Sequence, residues 1–209
     1  QDAGDSNKGK AVVGTVSGTS ITFGTPVTFT SSRTFAANMG CAFDSGNNKV
    51  VIGYRDRDAS DHGYGIVGTV SGTSISFGSA TKFESAPAVN MSAIFDSSNN
   101  KVVIAYYDAG NSSYGTAVVG TVSGTSISFG TPVVFESAST NYTSATFDSN
   151  SNKVIISYKD TGNSSYGTVI VGTVSGTSIS FGSPTVFESA AIDYNSITFD
   201  PSNNKVVIA

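Results

Sequence analysis

Gly120-Thr-Val-Ser-Gly-Thr-Ser-Ile-Ser-Phe-Gly130 decides the fold, because residues 14–24, 68–78 and 172–182 repeat it almost letter for letter. Near-perfect recurrence at a fixed period marks one supersecondary unit stacked on copies of itself. Lys49, Lys101, Lys153 and Lys205 lie 52 residues apart each time, whereas the glycines that open the repeated stretch are spaced by 54, 52 and 52. The first unit therefore carries two extra residues, between Phe29 and Phe43. This period organises residues 1–209 as a single repeat domain of four units.

Outward from that stretch, each unit reads as four strands. Residues 142–147 form the first, and Asp148-Ser-Asn-Ser-Asn152, rich in residues that tolerate positive φ, turns them into a second over 153–158. A longer loop, 159–167, leads to a third strand over 168–174. Ser175-Gly-Thr177 then turns the chain into a fourth over 178–181, continuing through 185–187. Ser126-Ile-Ser-Phe129 alternates polar with apolar, as a strand with one wet face does. Lys101-Val-Val-Ile-Ala-Tyr106 and Ala117-Val-Val-Gly-Thr-Val122 are instead apolar on both pleat faces, which requires sheets covered on both sides. Three phenylalanines recur per unit, represented by Phe129, Phe135 and Phe147. Burying each stabilises by about 1.5–3 kcal/mol, so these positions are expected to hold neighbouring units together.

Stacked four-stranded units buried on both faces predict an all-β fold, a β-propeller of four four-stranded antiparallel blades. If Ala209 is joined to Gln1, the repeat continues with one residue missing, at the Tyr106 position. The N- and C-terminal hairpins are therefore expected to complete one shared blade and close the ring without an open edge.

Composition narrows the function. Only 12% of residues are charged, leucine is missing altogether, and the net charge is -4 with eleven scattered basic residues. Nucleic-acid binding needs clustered Lys and Arg, so none is expected. The single cysteine, Cys41, excludes an internal disulfide, and its small apolar neighbours predict a buried thiol. No run of eighteen apolar residues exists, so no membrane insertion by a helix is expected. The polar start Gln1-Asp-Ala-Gly-Asp does not read as a signal peptide.

Phe-Asp, a polar turn, then Asn-Lys-Val-Val-Ile-Ala-Tyr, together with Tyr-Gly-Thr-Ala-Val-Val-Gly-Thr-Val-Ser-Gly-Thr-Ser-Ile-Ser-Phe-Gly, resembles repeats of large marine bacterial and phage proteins, tail-fibre-like ones among them. The resemblance spans nearly the whole chain and implies a surface or fibre protein. Residues 33–37 depart from the usual Glu-Ser-Ala pattern and set the first unit apart.

Chemistry is sought first in the loop between the second and third strands. An aspartate recurs there as Asp56, Asp108 and Asp160, with Asn111 and Asn163 following, and the next aromatic position reads His62, Tyr114 and Tyr166. These eight residues are the candidate ligand-binding set, suited to sugar hydroxyls. Calcium held by carboxylate and carbonyl oxygens is the one metal chemistry they suggest, although the spacing lacks the full ligand ladder of a strong calcium loop. The competing reading is that each aspartate caps its own loop. Asp44, Asp96, Asp148 and Asp200 are expected to start the hairpin turns. A carboxylate repeated symmetrically is a poor catalyst, since an acid–base pair needs one asymmetric setting that pushes two pKa values apart. His62 lies beside Ser60 and Asp61 on one loop, whereas a catalytic triad converges from separate elements.

These readings predict a non-enzymatic structural or adhesive module of an extracellular fibre, at a cell or virion surface, without metal or other cofactor. Its expected partners are neighbouring repeats or further chains of its own kind, with glycan binding as the alternative.

Overall fold

The computed structural model describes residues 2–209, the side chains of residues 36–38 excepted. An N-terminal group comprises β1 (Lys8–Ala11), β2 (Gly14–Ser17) and β3 (Ser20–Phe23). Three equivalent series follow. The first runs β4 (Val27–Asp44), β5 (Lys49–Asp56), β6 (His62–Ser71) and β7 (Ser74–Phe77). The second runs β8 (Thr81–Asp96), β9 (Lys101–Asp108), β10 (Tyr114–Ser123) and β11 (Ser126–Phe129). The third runs β12 (Val133–Asp148), β13 (Lys153–Asp160), β14 (Tyr166–Ser175) and β15 (Ser178–Phe181). The chain finishes with β16 (Thr185–Ala191), β17 (Ile197–Asp200) and β18 (Lys205–Ile208).

The all-β expectation holds, but the closed four-blade propeller does not. Fourteen strands form one open antiparallel sheet in the order β1-β4-β5-β6-β8-β9-β10-β12-β13-β14-β15, with β7, β11 and β16 branching from it. The terminal hairpins do not complete a shared blade: β2 pairs with β3 and β17 with β18, each as a separate two-stranded sheet. Gln1, part of the expected junction, lies outside the described residues. The physical reason is that a repeat fixes the contact between neighbours, while closure depends on the rotation accumulated over all of them.

The sheet stays continuous because β4, β8 and β12 each serve two layers. In β12 the first part pairs with β10 and the last part with β13. Between them the register shifts at Asn141/Ser144, where Tyr142 is left-handed at φ 50°. Asn90 takes the same conformation, φ 51°, within β8. The bulge bends the strand into the next layer without ending its pairing. The fourth strand of one unit and the first of the next are one strand of 16 residues.

Pleating then divides the core. Val102, Ile104, Tyr106 and Val118 pack back against Val51, Val67 and Phe83, whereas Val103, Ala105, Ala117 and Val119 pack forward against Val154, Ile156 and Tyr158. Both faces of the middle layer are covered, as the two-sided apolar pattern predicts. An aromatic trio bridges each pair of layers: Phe135 lies 5.2 Å from Tyr158 and 5.6 Å from Phe181, and Phe83 lies 5.3 Å from Tyr106 and 5.2 Å from Phe129. The Tyr106 and Tyr158 hydroxyls donate across the same boundaries to Glu84 and Glu136, each at 3.0 Å.

The repeated stretch does two jobs here. Gly124 makes the β10–β11 turn at φ 60°, where a side chain would be strained. Gly130 abuts the next unit, and a Cβ there would overlap the Thr177 carbonyl. Gly24 and Gly78 meet Thr73 and Thr125 in the same way.

The outermost layers are incomplete. Val171 is 44% exposed where Val119 is 1%, and Phe187 is 39% exposed where Phe135 is 7%. At the other end Ile21, Phe23 and Phe43 are exposed, although their counterparts Ile75 and Ile127 are buried and Phe95 and Phe129 pack on the core. The expected buried thiol is also corrected: Cys41 is exposed, while Ala93, in the same place one unit on, is buried. Cys41 has no complete layer behind it.

Candidate binding cleft

The loops after β5, β9 and β13 hold the residues singled out from sequence, and local hydrogen bonds explain most of their chemistry. Asp56 Oδ1 accepts from the backbone N–H groups of Asp58 and Ala59 at 3.0 and 3.1 Å. Asp108 Oδ1 accepts from Gly110 N–H at 2.9 Å, and Asp160 Oδ1 from Asn163 N–H at 3.1 Å. Each aspartate thus caps its own loop, the competing reading given above. His62, Tyr114 and Tyr166 close these loops as the strand partners of Asp56, Asp108 and Asp160. The Asn111 and Asn163 carbonyls accept from Tyr114 and Tyr166 N–H, each at 3.0 Å.

The left-handed residues of these loops are Ser60–Asp61, Ser112–Ser113 and Ser164–Ser165 rather than the glycines. Gly110 and Gly162 are instead needed for space, since a Cβ would overlap Ala86 and Ala138. Among the described residues no group of three His, Cys, Asp or Glu side chains could hold a metal ion. The structure thus distributes the eight candidates over three separate loops, each aspartate bonded to the backbone of its own turn.

The first unit's unusual basic residues are also structural. Arg33 Nη2 lies 2.8 Å from Asp58 Oδ1 and Arg55 Nη2 lies 3.0 Å from Asp61 Oδ2, with the Arg55 and Arg57 guanidinium groups over the Phe35 ring. The aspartates that begin the hairpins do so as expected. Asp148 accepts from Asn150 and Ser151 N–H and from the Ser151 hydroxyl, which holds its carboxyl below the usual range.

A different place gathers polar and aromatic side chains from several layers. Val89, Asn90 and Met91 of β8, Asn141, Tyr142 and Thr143 of β12, and Tyr194 and Asn195 ahead of β17 surround a cleft of about 630 Å³, with Tyr107 of β9 beside them. They sit at the crossing bulges, so the device that carries the chain between layers also shapes the cleft. Interlayer bonds fix it: Ser92 Oγ accepts from Ala145 N–H at 3.0 Å, and Ser144 Oγ from Ile197 N–H at 3.3 Å.

Within the cleft the Tyr142 and Tyr194 rings lie 4.4 Å apart at 42°. Their shared hydrogen bond, with desolvation adding, raises the Tyr142 pKa above the ordinary phenol value. Lys159 Nζ is 2.7 Å from Asp193 Oδ1 and 5.8 Å from the Tyr142 ring centroid. Asn90 Nδ2 donates to Asn141 Oδ1 at 3.1 Å, while the Asn195 amide donates to the Tyr142 carbonyl and accepts from Ser157. The Thr143 hydroxyl is buried without a partner. Such a surface offers aromatic faces and amides with one mutually neutralised ion pair.

The signal for this cleft was present in the sequence. Phe-Glu-Ser-Ala precedes and serine follows it in three units, at 83–86, 135–138 and 187–190 and at Ser92, Ser144 and Ser196. The five residues between differ, only Tyr142 and Tyr194 coinciding. Variation inside a near-identical repeat marks positions that the fold leaves open.

Compared with known proteins, the chain matches no family model and none of the curated proteins.

Proposed function

We propose that this chain is a non-enzymatic structural module that adheres head to tail to further copies of itself, as a fibre or surface protein at a cell or virion exterior does. The supporting observation is that a contact made three times inside the chain is left half-made at both ends, with matching halves. Gly182 meets no neighbouring layer where Gly130 meets Thr177, a Cβ there reaching only the Val171 carbonyl at 3.8 Å, and Thr19 holds the place of Thr177 at the opposite end. Phe187 lacks the partner that Phe135 has in Phe181, and Phe23, 63% exposed, holds the place of that partner.

The ends also match as strands. β17 and β18 supply the first and second strands of a layer, and β1, β2 and β3 the third and fourth. Placed edge to edge between two copies, these halves make one full layer, and the register that pairs Val50 with Gly68 sets Val206 opposite Gly14. Adding a strand to a free edge gives affinity through main-chain bonds, and the apolar faces add burial. Such a contact is heterologous and generates a filament where the rotation does not close.

Thiol labelling tests the arrangement. Joining should bury Cys41 as Ala93 is buried, so maleimide reactivity should fall at least about tenfold as protein concentration rises, and Phe23→Asp should restore it. Equal reactivity at all concentrations would oppose the proposal.

A further inference from the structure

We infer that the cleft between the crossing bulges of β8, β12 and the segment before β17 binds a neutral saccharide. Its volume of about 630 Å³ falls within the roughly 300–1,000 Å³ of small-molecule sites. Tyr107, Tyr142 and Tyr194 give it flat apolar surfaces with hydroxyl tips, which suit the C–H face and ring hydroxyls of a pyranose. Asn90 and Asn141 add amides, a group type that both donates and accepts. The charge argues for a neutral ligand, because Lys159 is already matched by Asp193.

The tyrosines carry the argument furthest. Tyr142 and Tyr194 sit at φ 50° and 54°, a conformation disfavoured for a bulky side chain. Asn90 meets the same backbone requirement in the equivalent position, so bending the strand does not call for tyrosine. Residues held in sparsely populated conformations concentrate where ligands bind. This site is separate from the aspartate loops, whose carboxylates accept from the backbone of their own turns.

The test uses the full chain and its Gly182→Val variant, so that association and binding are read apart. Saturation-transfer NMR is run against methyl glycosides of glucose, galactose, mannose and N-acetylglucosamine, their disaccharides, and glucuronate. Tyrosine emission gives a second readout, since the chain has nine tyrosines and no tryptophan. The expected result is binding of at least one neutral sugar, weakened about tenfold or more by Tyr142→Asn and by Tyr194→Asn. Those variants borrow the residue found at position 90 and should keep the wild-type circular dichroism. Tyr114→Phe and Tyr166→Phe should leave the affinity unchanged. No binding by any probe, binding of glucuronate alone, or undiminished binding by both Asn variants would overturn the inference. Loss confined to the Tyr114 and Tyr166 variants would overturn it equally, by moving the site to the loops.

Discussion

Gly130 and Gly182 hold the same place in the repeat and meet different surroundings. A Cβ at Gly130 would overlap the Thr177 carbonyl, whereas one at Gly182 meets only the Val171 carbonyl at 3.8 Å. Gly130→Val should therefore destabilise the chain by about 1–3 kcal/mol, as overpacking does, while Gly182→Val leaves stability close to wild type. Thermal unfolding of the two variants at low concentration checks this. Titration supplies a second expectation. Burial pushes the Tyr54 phenol up to about 12 and those of Tyr106 and Tyr158 higher still. An unfolded tyrosine titrates near pH 10, so their contribution is complete below that pH and lost as pH rises through the folded values. The melting temperature should fall between about pH 10 and 12. Asp148 and Asp200 act in the opposite sense, since their depressed pKa values make stability present above about pH 4 and lost below it. At this scale much was legible in the sequence. Asp followed by Asn or Ser names a turn whatever surrounds it, so the hairpin aspartates and loop caps follow from local chemistry. The exposure of Cys41 does not, because it depends on the absence of a layer behind it.

Among the elements, β12 separates what sequence pattern conveys from what it omits. Ser137-Ala-Ser-Thr-Asn-Tyr-Thr143 has the composition of a loop, yet it is strand on both sides of a bulge because it finds hydrogen-bond partners in two successive layers. Tertiary pairing overrides intrinsic preference. The repeat marks the variable residues of the cleft, but that they meet follows only from the stacking of β8, β12 and the segment before β17. The alternating faces of β9 and β10 were legible, and so was the adhesive role of the phenylalanines. Phe135→Ala should cost about 3–5 kcal/mol, because the ring is 7% exposed between two layers. Phe187→Ala should cost clearly less in the isolated chain, since its ring is 39% exposed. Denaturant unfolding of both variants at one low concentration compares them directly.

Across the whole molecule, the period predicts stacking, while the path of the stack comes from the small rotation between one layer and the next. Four similar units leave that rotation unstated, which is why a closed ring was expected and an open sheet with two half-layers is found. The half-layers give the architecture its functional reading. Each presents the surface that the other end's counterpart covers inside the chain, so the proposed association would continue the same core. Sedimentation velocity over a wide concentration range, with wild type and Gly182→Val side by side, tests this most directly. Wild type is expected to form progressively larger species as concentration rises, while the valine variant stays a folded monomer. A wild type that remains monomeric throughout, or a valine variant that associates equally well, would contradict it.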